Sequence, residues 1–203
     1  MHCNLAFSLL IAVLVLLNIV LGEPVLGTDR PPYQEYAKRA RYIVNRANWT
    51  VVATFSFHDP VTTFPYARVE SCSDGLLHNG TGTPYLYLMK DGTPMQNLKK
   101  NGNATLSYSE AEFGDIQSCM ISPKSDPENP LCSRVMLYGQ FYQVTDKKEL
   151  QIAQKALFTR HPFMKDLPAS HQFQVYGFKI SHIGILDYFG GAVWVDVDDY
   201  YNA

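Results

Sequence analysis

The stretch FTRHPFMKDLP, residues 158–168, brings together side chains that could bind an anion or move a proton. Arg160, His161 and Lys165 lie within six positions of one another. Arginine and lysine hold phosphate groups through charge-assisted hydrogen bonds, and histidine exchanges protons near neutral pH. The same residues suit a helix end, because the macrodipole stabilises cations there by about 0.3–1 kcal/mol and Pro162 cannot continue a helix. We interpret the stretch as a helix end and keep the three side chains as candidates for the wall of a cofactor cleft.

The remaining residues that could do chemistry are scattered along the chain. No two of the histidines after the first segment have metal-ligand spacing; they are His58, His78, His161, His171 and His182. There is no GxSxG nucleophile elbow, and no base lies near Cys72 in the sequence. The glycines of YFGGAVW indicate a bend in a strand, since they do not open a helix. The sequence therefore predicts neither catalytic residues nor a metal site.

The charges of the chain are nearly balanced, with 17 Lys and Arg against 19 Asp and Glu. They form no basic stripe along the sequence. Binding to nucleic acid depends on such a concentration of positive charge. The composition therefore argues against a nucleic-acid partner.

The first segment has the composition of a targeting signal. Residues 5–22, LAFSLLIAVLVLLNIVLG, are almost entirely apolar and are followed by Glu23 and Pro24. This pattern predicts a secretory signal peptide over residues 1–22, with cleavage after Gly22 or, alternatively, after Gly27. A signal anchor is the other possibility, because about 17 apolar residues approach the length of a bilayer span.

The rest of the chain divides into a linker, residues 23–31, and one domain, residues 32–203. About 180 residues are enough for one domain with a core of its own. No later segment is apolar enough to span a membrane, so we expect no membrane span once the signal is removed.

Secretion makes the cysteines informative. Cys119 and Cys132 bracket MISPKSDPENPL, a polar loop rich in turn residues. We predict a disulfide between them, which would stabilise the fold by roughly 3 kcal/mol through the entropy of the unfolded chain. Cys72 is then unpaired and is interpreted as a small buried apolar residue, with an intermolecular thiol as the alternative.

Three sequons for N-glycosylation follow the signal, at Asn48, Asn79 and Asn103. Asn79 lies in DGLLHNGTGTP, which is interpreted as a loop, and Asn103 precedes a strand. Asn48 lies between a helix and a strand, next to the bulky Trp49. We therefore expect a glycoprotein that is modified at Asn79 and Asn103 and less often at Asn48.

The hydrophobic pattern predicts the elements that must position these residues. Apolar residues at helical spacing predict helices over 32–47 and 146–161, the second with Asp146 as N-cap and a capping-box-like Glu149. Alternating segments predict strands over 49–57, 66–72, 83–89, 104–112, 134–145 and 173–197, the last bent or divided at Gly190-Gly191. A short helical turn follows the third strand. About six strands with short turns favour a closed or partly closed antiparallel barrel, and an α+β sandwich is the alternative.

Several unusual strings resemble the CREG family of secreted and lysosomal glycoproteins. They are ALFTRHPFMKDLPASHQF, ILDYFGG, the closing DDYYN, NPLC and YAKRARYIVNRANWTVVAT, and they run from about residue 32 to the end. The resemblance implies a split β-barrel of the type found in pyridoxamine-phosphate oxidase and other FMN-binding proteins. It also implies a homodimer, N-glycans, binding to the mannose-6-phosphate receptor, the secretory and endosome–lysosome compartments, and a link to growth control and differentiation.

The resemblance further implies that the flavin site is lost. Flavin-binding relatives carry an Arg/Lys pair before the short helix after the third strand, and this pair holds the FMN phosphate. The matching stretch here is KDGTPMQNLKK, in which Thr93, Pro94 and Met95 stand near the place of the pair. Lys90, Lys99 and Lys100 flank it at displaced positions. We therefore expect no cofactor.

The homodimer has a second argument in the sequence. Two strands carry more large apolar groups than one barrel interior requires, and we expect some of these residues at a two-fold interface. They are Tyr138, Phe141, Tyr142, Val144, Phe173, Val175 and Phe178.

The predicted function is that of a secreted or endolysosomal glycoprotein without catalytic activity. It would act through protein–protein contacts in the regulation of cell growth and differentiation. An FMN-dependent or haem-type oxidoreductase on the same barrel is one alternative. A small-molecule binder that uses the former flavin cleft is another.

Overall fold

A computed structural model describes residues 30–113, 119 and 126–203. The predicted signal peptide, most of the predicted linker and the first half of the loop before Cys132, residues 120–125, lie outside the described residues. Residues 30 and 31, at the end of the predicted linker, contact the domain: the carbonyl of Pro31 accepts a hydrogen bond from the buried Arg39 side chain over 2.8 Å. Within the described ranges, no helix is both long and apolar enough to cross a bilayer.

The protein is built on one antiparallel sheet that closes on itself. Its strands are β1 (Trp49–Phe55), β2 (Pro65–Leu76), β3 (Asn79–Met89), β4 (Asn103–Ser109), β5 (Arg134–Gln143), β6 (Phe173–Leu186) and β7 (Ala192–Val195). The strand order is β3-β2-β1-β4-β5-β6-β7, and an additional pairing of β3 with β6 closes a barrel from which β7 extends as an edge strand. Closure gives a six-stranded barrel with β7 outside it. The predicted barrel is confirmed, and the sandwich alternative is wrong.

The interior of the barrel follows from the alternation of side chains along each strand. On β1, Val52 faces inward and is fully buried, whereas its neighbours Val51 and Ala53 face outward. Leu106 on β4 and Leu137 on β5 lie in register with it and are also fully buried. Because side chains alternate with a period of two residues, one half of the side chains on each strand faces the core and the other half faces the outside of the barrel.

Among the residues that the structure describes, four α-helices complete the fold: α1 (Tyr36–Arg46), α2 (Thr93–Lys100), α3 (Lys147–Arg160) and α4 (Val197–Asn202). Ala40, Ile43 and Val44 of α1 pack into the barrel core, as helical spacing predicts. The N-cap of α3 is confirmed, because the carboxylate of Asp146 accepts bonds from the backbone N–H groups of Lys148 and Glu149. The short α4 was not predicted from the sequence.

Glu149 does not complete the capping box that the sequence predicts. Its Oε1 atom accepts hydrogen bonds from the hydroxyl groups of Tyr85, at 3.3 Å, and Tyr142. These tyrosines stand on β3 and β5, on either side of Gly177 on β6. The ring of Tyr142 occupies the space that a Cβ atom at Gly177 would need. Glu149 therefore fastens α3 to the barrel instead of capping its own helix.

Helix α3 accounts for part of the apolar surplus that the sequence assigned to a dimer interface. Val144 and Val175 are buried in a cluster with Ala153 and Leu157 of α3. Phe178 is also fully buried, in the main core. These three side chains are covered within one chain. The homodimer stays a prediction, and the remaining members of the predicted set, Tyr138, Phe141, Tyr142 and Phe173, are its candidates.

Two turns differ in how well the sequence predicted them. Gly190 and Gly191 separate β6 from β7 with φ angles of 115° and 92°, as the predicted bend requires. The segment around Asn79 is a tight hairpin and not a loop, because β2 continues to Leu76 and β3 begins at Asn79.

Candidate functional site

The candidate side chains Arg160, His161 and Lys165 lie at or just after the predicted helix end, and the first two contact other parts of the fold. Arg160 is the last residue of α3, and its guanidinium donates to the carbonyl of Ala47 over 2.6 Å and of Gly75 over 3.2 Å. His161 Nε2 lies 3.0 Å from the carbonyl oxygen of Cys72. Lys165 is exposed on the following 3-10 helix. Arg160 and His161 therefore tie α3 to the end of α1 and to β2.

Arg160 also sets the electrostatics of a buried junction. Burial lowers its pKa, whereas the carboxylates of Asp74 and Glu112 act in the opposite direction. Burial raises the pKa of Asp74, although Asn45 and the Gly82 N–H donate to its carboxylate. The positive charge of Arg160 therefore lies near two desolvated carboxyl groups and stabilises their ionised forms.

Glu112 is the most perturbed carboxyl group of this junction. Burial raises its pKa to about 7, against opposing effects of the Asn48 and Trp49 backbone N–H groups and of Arg160. Its Oε1 atom accepts from the Asn48 N–H at 2.8 Å, while Oε2 is buried without a hydrogen-bond partner among the described residues. The pKa of Glu112 therefore lies close to neutral pH.

The cysteines follow the prediction. Cys119 and Cys132 form a disulfide with their Cα atoms 5.0 Å apart. Cys72 is a free thiol that is 1% exposed, and burial raises its pKa. A protonated thiol without access to solvent is a poor nucleophile and a poor metal ligand. This geometry favours the structural interpretation of Cys72 over an intermolecular thiol.

A groove of about 590 Å³ lies on the outside of the barrel. Strands β1, β4, β5 and β6 and the start of β2 form its walls, which include Phe55, Pro65, Asn103, Thr105, Tyr138 and His182. The register of the sheet places Ala53, Thr105, Tyr138 and His182 side by side across four strands. The groove is thus a product of strand pairing, with apolar walls and a few polar groups.

The groove lies in a wider apolar surface that we call the outer face, made of Val51, Ala53, Val69, Met136, Tyr138 and Trp194. Strand register places Val69, Val51, Met136 and Trp194 in one row across the sheet. Ser107 of β4 lies between Val51 and Met136, and Gly184 of β6 lies between Met136 and Trp194. Val69 is 58% and Trp194 is 68% exposed. The rings of Tyr138 and Trp194 lie with centroids 5.8 Å apart. Large exposed apolar side chains close together on one face are typical of a binding surface.

The groove has no positively charged side chain among its lining residues that could bind the phosphate of a cofactor. None of the residues that line the groove is Arg or Lys. In KDGTPMQNLKK, the stretch that corresponds to the phosphate-binding pair of flavin-binding relatives, Pro94 is buried at the start of α2. Lys99 forms a surface ion pair with Asp91 at 2.7 Å. Lys90 and Lys100 are exposed. The side chains present therefore do not fit a phosphate-bearing cofactor in the groove.

A second buried network was missed by the sequence analysis. Arg39 is 1% exposed and pairs with Glu110 at 3.0 Å and Asp187 at 3.1 Å. Arg30 pairs with the same Glu110 at 2.7 Å. The Ser133 hydroxyl donates to Asp187 over 2.6 Å. These groups join the N-terminal segment, the end of β4, the start of β5 and the β6–β7 turn, so their role is structural.

The sequon asparagines Asn48, Asn79 and Asn103 are all exposed. Asn103 lines the groove, whereas Asn79 lies on the β2–β3 hairpin and Asn48 precedes β1. The structure describes no group of three or more His, Cys, Asp or Glu side chains that could hold a metal ion.

Comparison with known proteins agrees with this architecture. A family model described as "CREG, beta-barrel" matches residues 31–202. The chain belongs to the CREG family. Chicken protein CREG1 is 38% identical over 174 residues, which are 85% of this chain and 88% of the chicken protein. Human protein CREG1 is 37% identical over 172 residues, 85% of this chain and 76% of the human protein.

Solved structures with the same fold share little sequence with this CREG-family chain. A heme binding protein from Mycobacterium smegmatis has a TM-score of 0.63 and 19% identity, and the match covers 85% of this chain and 62% of that one. A Clostridium acetobutylicum protein of the pyridoxinephosphate oxidase family has a TM-score of 0.52 and 15% identity, covering 82% and 98%. The split-barrel fold is thereby confirmed.

Proposed function

We propose that this CREG-family protein is a secreted or endolysosomal glycoprotein without catalytic activity that regulates cell growth and differentiation through protein–protein contacts. The observation that supports this function best is the outer face, an apolar surface on which Val69 is 58% and Trp194 is 68% exposed in the single chain. A surface of this composition is suited to a protein partner.

Purified protein added to cultured cells tests this function. Wild-type protein should change the growth rate, and the double variant Val69→Asp, Trp194→Asp should not, because two charges would disrupt an apolar interface. Lys165→Ala is the matched surface control and should act as wild type. If the double variant changed the growth rate as much as wild type, the outer face would not be needed for the function.

The absence of flavin chemistry is the second part of the proposal. Charge-assisted bonds contribute about 1.5–3 kcal/mol each, so the loss of two weakens FMN binding by roughly 3–6 kcal/mol, or a factor of 10² to 10⁴. The protein should purify without absorbance near 450 nm, and added FMN should keep the fluorescence of the free flavin. Saturable quenching with a low-micromolar midpoint would support the oxidoreductase alternative instead.

We further propose that a second copy of the chain is one partner of the outer face. The resemblance to the family and the exposed Val69 and Trp194 support this assignment. A stable dimer buries roughly 800 Å² on each partner. Sedimentation of protein without glycans should show a dimer at micromolar concentration, and the Val69→Asp, Trp194→Asp variant should sediment as a monomer.

The glycans are proposed to be the link to the mannose-6-phosphate receptor. The exposure of Asn48, Asn79 and Asn103 supports their modification. Peptide-N-glycosidase should lower the apparent mass of protein from animal cells and should also abolish binding to the purified receptor. Amino-terminal sequencing of the secreted protein should begin at Glu23 or Thr28, according to the site of signal cleavage.

A haem binder is a second candidate, because His182 places an exposed imidazole in an apolar groove. Neutral imidazole is the commonest metal ligand in proteins. Titration with haemin should then produce a Soret shift that His182→Ala abolishes. A spectrum that is the same for both proteins would exclude this candidate.

A further inference from the structure

Helix α3 has a solvent-exposed side that the proposed function does not use. We call it the α3 face; its members are Lys148, Ile152, Lys155, Thr159 and, on the 3-10 helix that follows, Phe163, and all five are exposed. The four members on α3 lie within about 60° of one another around the helix axis, because each residue advances an α-helix by about 100°. Ala153 and Leu157, on the other side of α3, are buried in the cluster that joins the helix to the barrel.

The α3 face is positively charged, because its lysines are not paired with carboxylates. The one acidic residue of α3 is Glu149, and its Oε1 atom accepts from the hydroxyl groups of two tyrosines of the barrel. Neither Lys148 nor Lys155 forms an ion pair with any residue that the structure describes. Lys147 is exposed beside them and adds a further positive charge. The face therefore attracts an anionic partner.

Two large apolar side chains share this face with the lysines. Ile152 is 49% and Phe163 is 57% exposed. Lys148 and Lys155 lie one helical turn before and one turn after Ile152, so their stems can cover apolar surface while their ammonium groups reach outward. Apolar side chains flanked by lysines are typical of a helix that lies on an anionic membrane, whereas a soluble polyanion requires the charge alone.

We propose that the α3 face binds the surface of a membrane that contains anionic phospholipids. Ile152 and Phe163 enter the interfacial layer, and Lys148 and Lys155 contact the lipid phosphates. The contact is peripheral and reversible, because a few side chains bind a bilayer far more weakly than an inserted helix does. It shares no residue with the outer face and does not rest on the proposed growth regulation, so it holds for one chain or for a homodimer.

The experiment measures co-sedimentation of the full secreted chain with lipid vesicles. One set of vesicles is pure phosphatidylcholine, and the other contains about 30% phosphatidylserine, at about 0.1 M salt. The double variant Lys148→Gln, Lys155→Gln removes two charges from the α3 face. Lys38→Gln, Lys100→Gln is the matched control, because it removes two charges from exposed positions on α1 and α2. Urea unfolding checks that each variant keeps its fold.

We expect wild type and the control to bind the vesicles with phosphatidylserine and not those of phosphatidylcholine alone. Each lysine near an anionic surface strengthens binding about fivefold, so the variant without Lys148 and Lys155 should bind about 30-fold more weakly. Wild type that leaves the anionic vesicles unbound, or a lysine variant that binds them as wild type does, would overturn the inference.

A second double variant, Ile152→Ser, Phe163→Ser, separates a membrane from a soluble polyanion. It keeps every lysine, and it should bind the anionic vesicles about tenfold more weakly while its elution from a heparin column stays that of wild type. If it bound the vesicles as wild type does, and only the lysine variant eluted early from heparin, the partner would be a polyanion such as a glycosaminoglycan and the membrane proposal would be wrong.

Discussion

Glu112 should make the protein more stable in acid than at neutral pH, and this can be measured. Its carboxyl group has a pKa of about 7 in the folded protein, against 4.5 as the ordinary value, because burial disfavours the charged form. Its Oε2 atom is buried without a described hydrogen-bond partner, so no hydrogen bond at this atom stabilises the negative charge. The folded state therefore binds the proton more tightly than the unfolded chain. The resulting stabilisation is complete below pH 4.5 and is lost as the pH rises through 7.

The size of the change in the free energy of unfolding follows from the difference between the ordinary pKa of 4.5 and the pKa of about 7 in the folded protein. Each pKa unit corresponds to about 1.36 kcal/mol, which gives an upper bound of roughly 3.4 kcal/mol. Glu112 is partly exposed, and solvent screening reduces this to about 1–2 kcal/mol. The raised pKa of Asp74, also a result of burial, acts in the same direction.

The assay is urea unfolding of wild type and Glu112→Gln at pH 5.0, 6.0 and 7.4. The glutamine keeps an oxygen for the Asn48 N–H and stays neutral, so the variant mimics the protonated side chain. Wild type should gain about 1–2 kcal/mol between pH 7.4 and 5.0, and Glu112→Gln should lose most of this dependence. Glu128→Gln, on an exposed turn, is the control and should behave as wild type. An equal pH dependence in Glu112→Gln would refute the reasoning.

Three further outcomes are expected. Arg160→Ala should lower the free energy of unfolding by about 2–4 kcal/mol, because it removes two bonds to backbone carbonyls, whereas Lys165→Ala should stay within about 0.5 kcal/mol in the same urea assay. The double change Cys119→Ser, Cys132→Ser should cost about 3 kcal/mol in thermal unfolding, and an undiminished melting temperature would contradict it. Cys72 should react with a thiol reagent only after denaturation, and rapid labelling of the native protein would show that it is accessible.

The barrel could be predicted because its strands and long helices carry regular hydrophobic periods. Helix α4 has six residues, too few for a period of 3.6 to be recognised. The β2–β3 hairpin was interpreted as a loop because its glycine and asparagine residues are typical of turns. The sheet continues through them, with a register shift between Ser73 and Gly75. Turn composition alone does not show where strand pairing stops.

The groove and the buried networks could not be found from the sequence, because their members meet only after the barrel closes. Arg160 is 113 residues from Ala47 and 85 residues from Gly75. A local window sees only its position at the end of a helix. The apolar surplus on β5 and β6 was visible, but a sequence does not distinguish a face covered by α3 from one that needs a second chain.

The ion pairs of Arg30 and Arg39 with Glu110 connect the N-terminal segment to the folded domain. Signal cleavage after Gly22 or Gly27 would leave Arg30 in the chain, with its bonds to Glu110 at 2.7 and 2.8 Å. Proteolysis that continued beyond either cut and removed Arg30 would leave Glu110 with one fewer cation in the interior. We therefore expect removal of Arg30 to destabilise the fold, because the buried carboxylate of Glu110 would lose one of its ion-pair partners.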